Sequence, residues 1–276
     1  MKFFKELPYS IYNSLRLLLK NIDDFVSNKE TIPVVVSLTT MPSRISKVHL
    51  TIRSILDQGV LPFKLILWVK SSLKGNLPKS LTKLVGDVFE VRYFEYCCSH
   101  KKLIHSLQDF PNYPIITIDD DYLYPSDFIN NLYEEHLNMP KAIISNRLRH
   151  IKRDNKNKVL PYSKWNNISE VTDANRDSLL IIGSSGVLYP PKALHEMVFD
   201  EVLIKKLTPK ADDIWFTFMA NLQKTPIILS TKSKKRLIPI IGSQKVALNK
   251  VNVHEGKNIE QWNATEHYFR KYLDIF

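Results

Sequence analysis

Apolar residues along this chain recur in two rhythms, and the change from one to the other divides it into strands and helices. Pro33-Val-Val-Val-Ser-Leu-Thr39 is an almost unbroken aliphatic run, the pattern of a strand buried on both faces. It leads through Thr40-Met-Pro-Ser-Arg44 into a stretch where Val48, Ile52, Ile55 and Leu56 share one helical face, closed by Gly59. Further strands are predicted at 63–69, 89–94, 114–118, 141–145, 179–182 and 227–229. Helices are predicted at 101–107, from Pro125 or Ser126 to about Leu137, after Pro191, at 211–222 and from about Asn258. Strands and helices alternating at this spacing predict an α/β fold with a mostly parallel, Rossmann-like sheet flanked by helices. The functional site of such a sheet lies at the carboxyl ends of its strands.

Ahead of the first strand, Ile11, Leu15, Leu18, Leu19 and Ile22 fall on one face of a helix predicted at 10–25, with Arg16 and Lys20 elsewhere. Two readings fit this face: it packs on the main domain, or it lies on a membrane surface. The resulting division is an N-terminal helical segment (1–30), a catalytic domain (31–257) and a C-terminal helix (258–276). The catalytic domain splits into halves at 31–125 and 126–257.

With 276 residues the chain is long enough for a substantial core, and its seven glycines exclude collagenous or glycine-rich organisation. The net charge of +11 calls for an anionic partner without choosing among nucleotide phosphates, nucleic acid and acidic membrane. Cys97 and Cys98 are adjacent, which rules out an ordinary disulfide between them and fits a reducing compartment. Glu6 and Pro8 interrupt the apolar start before it resembles a signal peptide, and no apolar run is long enough to span a bilayer. The expected location is cytoplasmic, peripheral on the inner face of the cytoplasmic membrane.

The candidate chemistry is carboxylate chemistry. The predicted strand at 114–118 delivers Asp119, Asp120 and Asp121 to its own carboxyl end with no spacer. Three acids this close repel one another unless they are solvated or a cation sits among them, so a polar turn and a divalent-metal site are the competing readings. Asp212 and Asp213 open the helix at 211–222; one carboxylate is enough to cap it, and the second is a candidate base. Gly183-Ser-Ser-Gly186 permits close approach of a ligand to the backbone, as it would permit a tight hairpin. Trp165 either anchors its loop or offers a flat face to a sugar ring. The basic run 147–158 is either a solvated loop or a cover over an anionic substrate. GxGxxG after the first strand and GxxxxGK[ST] are both absent. A bound diphosphate would therefore be met by a metal and by side chains such as Arg44, Lys101 and Lys102.

Three motifs in this order, Asp119-Asp-Asp-Tyr-Leu-Tyr-Pro125, Gly186-Val-Leu-Tyr-Pro-Pro191 and Ala211-Asp-Asp-Ile-Trp215, resemble those of GT-A-fold nucleotide-sugar glycosyltransferases. The likeness is to family-2-like enzymes of bacterial capsule and lipopolysaccharide assembly, and it runs from about Pro33 to His254. It implies a GT-A-type domain that takes a nucleotide diphosphate sugar, a UDP-sugar first among them, and transfers it to a glycan or lipid-linked glycan, with no nucleic-acid partner. It implies Mn²⁺ or Mg²⁺ held by Asp121 and Asp119, with Asp121 the direct ligand and Asp119 nearer the nucleotide, and His254 joining the metal or the phosphates. Asp213 takes the role of general base in an inverting reaction. Arg44, Lys102, Asp119 and Asp120 fall on the donor side, with Asp120 facing away or orienting its neighbours. Trp165, Gly183, Ser184, Ser185, Gly186 and Asp212 fall on the acceptor side. The turn after the second strand reads Val69-Lys-Ser-Ser-Leu73 where many of these enzymes carry an acidic VDDGS-like turn, which leaves the nucleotide base open. The QxxRW signature of processive synthases is missing, which favours transfer of a single sugar. Two other classes compete: a metal-dependent sugar nucleotidyltransferase, which ordinarily has a glycine- and lysine-rich first loop, and a basic nucleic-acid-binding protein, which leaves both acidic clusters without a role.

Overall fold

The computed structural model describes residues 2–95, 98–168, 178–232, 237–243 and 257–270. Its strands are β1 Thr31–Thr39, β2 Leu61–Lys70, β3 Phe89–Phe94, β4 Ile115–Thr117, β5 Tyr122–Leu123 and β6 Ile143–Ser145. They continue with β7 Leu148–His150, β8 Asn166–Ile168, β9 Leu179–Ile181, β10 Val187–Tyr189, β11 Ile227–Leu229 and β12 Ile238–Pro239. The helices are α1 Lys2–Leu19, α2 Val48–Leu56, α3 Lys79–Thr82, α4 Lys101–Asp109, α5 Phe128–Asn138, α6 Glu201–Leu207, α7 Asp212–Leu222 and α8 Lys257–Phe269.

Seven strands form the central sheet in the order β11-β6-β10-β4-β1-β2-β3. β1 lies in the middle, parallel to both neighbours, with Val36 opposite Leu65 of β2 and Ile116 of β4. Its continuous apolar run follows from that position. Val35 points into the core on one face of the sheet, while Val34, Val36 and Leu38 point into the core on the other. Among the described strands of this sheet β10 alone runs against its neighbours, Leu188 lying opposite Ile116 of β4 and Ile144 of β6. This reversal sets the geometry of the site. The loop entering β10, Gly183–Gly186, comes to the edge at which β1, β4 and β6 end, and so meets the segments that leave those strands.

Two small sheets complete that edge. β5 pairs with β12, and the Ile240 amide donates to the Asp121 carbonyl at 2.8 Å, fixing the chain just beyond the acidic triplet. β7 lies between β8 and β9, with Arg149 opposite both Asn167 and Leu180. At the C-terminal end, α8 packs Trp262 on Phe218 of α7 at a ring distance of 4.8 Å.

The N-terminal helix differs from expectation in extent and in orientation. It begins at Lys2, contains Pro8 and ends at Leu19, with a separate 3₁₀ turn at Asp23–Phe25. Among its described side chains Ser10 and Leu17 are buried, whereas Ile11, Leu15, Leu18 and Leu19 face outward. The apolar stripe therefore does not pack on the domain, although Ile22 just beyond the helix does. No described helix is long and apolar enough to cross a membrane.

Candidate functional site

A cleft of about 600 Å³ opens at the carboxyl edge of the sheet. Arg44, Lys102, Asp119, Asp120, Asp121, Ser184, Asp212 and Asp213, all singled out from sequence, line it together.

The acidic triplet is held from behind by its own motif. Tyr124, buried three residues past the triplet, places its hydroxyl against the backbone of Asp119 and accepts that amide at 2.9 Å. Thr51 of α2 donates to the carbonyls of Asp120 and Tyr122, each at 3.0 Å. With the backbone fixed, the three side chains separate by partner. Asp119 takes the Lys102 ammonium at 2.8 Å. Asp120 is buried, accepts from the Thr40 hydroxyl and pairs with Arg44 at 2.6 Å. Asp121 meets the same Arg44 nitrogen at 3.3 Å. Asp120 thus lines the cleft and pairs with Arg44, and its side chain does not face away. Burial raises the Asp120 carboxyl above its ordinary range against the opposing pull of Arg44.

Asp212 and Asp213 come from the first turn of α7. Residue Thr217, one turn on, accepts the Ile181 amide at 3.1 Å and donates to the Asp213 carbonyl at 2.7 Å, tying α7 to β9. The Gly183 amide donates to Asp213 Oδ1 at 2.9 Å. A side chain at Gly183 would put its Cβ 2.8 Å from that oxygen, so the contact requires glycine. Lys102 Nζ reaches Asp212 Oδ2 at 3.4 Å as well as Asp119, and so links the two acidic clusters. Burial would lower the Lys102 ammonium, but Asp119 and Asp212 reverse this and hold it well above its ordinary value. The paired acids separate in consequence. Burial alone would raise Asp212, yet Lys102 and His100 keep it below the ordinary carboxylate range. Asp213, raised by burial and then by the Asp212 charge, is pushed up to about 8.

Gly186 closes the glycine loop with φ of +95°, and a Cβ there would come within 2.4 Å of the Phe128 ring. Gly186→Ala is expected to cost about 2 kcal/mol or more through backbone strain and overpacking. Thermal unfolding checks this, and an unchanged melting temperature would remove the constraint. Ser185 contributes its carbonyl to Asn146 at 3.0 Å.

Trp165 is not in the cleft. Its ring is buried against Trp262 and Tyr162, and its indole N–H donates to the Leu160 carbonyl at 2.8 Å, so it anchors the loop. Tyr162 lines the cleft instead. His254 lies outside the described residues.

The basic run divides. Arg147 and Arg149, two apart at β7, line the cleft, with Arg149 stacked on Tyr162 at 4.4 Å. Arg153 instead pairs with Glu266. Thr40, Ser99, Arg149, Tyr162 and Asn258 are cleft residues without a motif of their own. For Arg147 and Arg149 the charge density of 147–158 was the available signal.

Among the described residues no three His, Cys, Asp or Glu side chains are grouped to hold a metal. Asp119 and Asp121 nonetheless line the same cleft with carboxylate oxygens, the donor chemistry a hard divalent cation takes.

No protein-family model matches the chain, and no curated protein matches it. Among solved structures it is similar to 4-diphosphocytidyl-2C-methyl-D-erythritol synthase from Anaerococcus prevotii, at 14% identity and a TM-score of 0.44 over 79% of this chain and 93% of that one. It is also similar to residues 1–349 of TarS from S. aureus, at 17% identity and a TM-score of 0.46 over 74% of this chain and 58% of that one.

Proposed function

We propose that this chain is a metal-dependent, GT-A-type glycosyltransferase. It moves one sugar from a nucleotide diphosphate sugar, a UDP-sugar first, to a hydroxyl of a bacterial surface-glycan acceptor, with inversion. The observation that carries this reading is the single cleft in which Lys102 bridges the Asp119 side of the triplet to the Asp212–Asp213 pair.

Asp119 and Asp121 would hold Mn²⁺ or Mg²⁺, which when bound supplies positive charge for the departing nucleoside diphosphate. Arg44 and Lys102 add fixed positive charge on the same wall. Asp213 takes the acceptor's proton. The Gly183 amide fixes one of its oxygens, leaving the other for the hydroxyl, and its raised proton affinity suits a base working near neutral pH. Tyr162, Arg147 and Arg149, which line the same cleft, position the acceptor.

Thermal-shift screening of nucleoside diphosphates and nucleotide sugars tests the donor side. A donor at about 100 times its Kd should add about 2.7 kcal/mol of stability. The shift is expected with Mn²⁺ and lost in EDTA together with turnover. Equal shifts and full turnover in EDTA would overturn the metal's part. Release of pyrophosphate from a nucleoside triphosphate, with no sugar transfer, would replace this reading with a nucleotidyltransferase. Salt-dependent RNA or DNA binding indifferent to metal would replace it with a nucleic-acid-binding protein.

A further inference from the structure

We infer that the outer face of α1 docks on an anionic bilayer surface. This helix is amphipathic in the reverse of the usual sense. Ile11, Tyr12, Leu15, Leu18 and Leu19 lie within one stripe and are 44, 66, 53, 45 and 84% exposed, with Tyr9 at 67% on its margin. A helix placed by its own hydrophobicity would turn that stripe to the core.

Polar tethers hold it the other way. Ser10 Oγ donates to the Pro239 carbonyl at 2.8 Å, and Arg53 of α2 donates to the Leu17 carbonyl at 2.8 Å near the helix end. Asp57 receives Arg16 at 2.7 Å and Lys20 at 2.6 Å. Among the described side chains of this helix Leu17 is the apolar one that is fully buried. The stripe is thus fixed outward by bonds on the opposite side, leaving its five large side chains for an external apolar phase.

The chemistry of that phase is read from charge and shape. Along 2–20 the sequence has Lys2, Lys5, Arg16 and Lys20 against Glu6. β12, on which α1 sits through Ser10, is preceded by Lys232-Ser-Lys-Lys-Arg236. Beyond it Ile241 is 36% exposed, and its carbonyl accepts from the Lys47 ammonium at 2.7 Å. An apolar stripe with Tyr9 and Tyr12 along it, on a helix whose sequence carries four cations against one acid, matches an interface where acyl chains meet anionic headgroups. A stripe one helix wide is narrow for a stable protein partner, which needs about 800 Å² from each side. Docking there also has a spatial consequence. α1 bonds to β12, and the residue after β12 bonds to the Asp121 carbonyl, so the helix lies two strands from the acidic triplet.

Co-sedimentation of the full chain with vesicles tests this without any donor or acceptor, so its failure is separate from failure of the transferase reading. Phosphatidylglycerol-containing vesicles should carry the protein down at low salt, and phosphatidylcholine vesicles should do so far less. Leu15→Gln with Leu19→Gln keeps the charge and removes exposed apolar surface. That variant should partition about 10-fold less or worse, while its thermal unfolding stays that of the parent. Tyr12→Ser should act in the same direction. Equal sedimentation of parent and variants, or none with anionic vesicles, overturns the inference. A dimer in sedimentation velocity that the double substitution dissolves overturns it in favour of a second copy of the chain.

Discussion

Asp213→Asn is expected to lose about 10² to 10⁴ of turnover while leaving the donor-induced thermal shift intact, because a general base acts on the acceptor's proton and not on donor binding. Asparagine keeps the size of the group and an oxygen for the Gly183 amide, so the 2.9 Å contact that holds this residue survives. What disappears is proton affinity. With the Asp213 carboxyl raised to about 8 by burial and by Asp212, the parent's kcat/KM should climb with pH below that value and level off above it. The variant should show a low, flat profile. Stability should move oppositely. A carboxyl that holds its proton to higher pH when folded contributes stability that is full below about pH 4, the ordinary range for aspartate, and lost as pH rises through about 8. Asparagine has no such dependence, so the variant's melting temperature should gain on the parent's between pH 5 and pH 9. Near-parental turnover would take Asp213 out of the base role, and parallel melting curves would show that its carboxyl is not strained in this way.

The parts of this site that were legible in the sequence are those whose chemistry is fixed by neighbours in the chain. A buried strand needs an apolar run, so Val34 to Leu38 announced β1, and three acids directly after Ile118 placed charge at a strand end. Asp212 and Asp213 were visible because a helix start selects acids and needs fewer than two. Partners were not visible. Nothing local distinguishes a Thr40 that will grip Asp120, or an Arg149 that will stack on Tyr162, from any exposed residue of its kind. Trp165 carried the same ambiguity as any tryptophan in a polar connection, and it was settled by Trp262, 97 positions away in sequence, meeting its ring at 5.2 Å. Periodicity in α1 identified a stripe but not its direction, since direction depends on Arg53 of α2 and Asp57 just beyond it. Local pattern determined which residues carry chemistry, and tertiary contacts determined which of them meet.

Lys102→Met is expected to be the most destabilising single change in the cleft. The parent ammonium is only 5% exposed and lies between Asp119 at 2.8 Å and Asp212 at 3.4 Å. Methionine retains much of the packing of the stem and deletes the charge, leaving carboxylates without the cation that offset their burial. Breaking a buried pair in this way costs about 3 to 5 kcal/mol. Asp119, a third exposed, can turn to water, which places the expected loss near the lower figure, about 3 kcal/mol, or about 5 °C in melting temperature for a chain of this size. Asp212, mostly buried, has less freedom to do so. The pH dependence separates this cause from lost packing. In the parent, Lys102 overcomes burial to hold Asp212 below its ordinary range, so that carboxylate's share of stability is present above about pH 4 and is lost as pH falls through its lowered value. In the variant Asp212, without that cation, accepts its proton at higher pH and sheds the penalty sooner. The gap between the two proteins should be wide at pH 7 and narrow as the solution approaches pH 4. A gap of constant size would assign the loss to packing, and no gap at pH 7 would mean that Lys102 does not hold the two acidic clusters together.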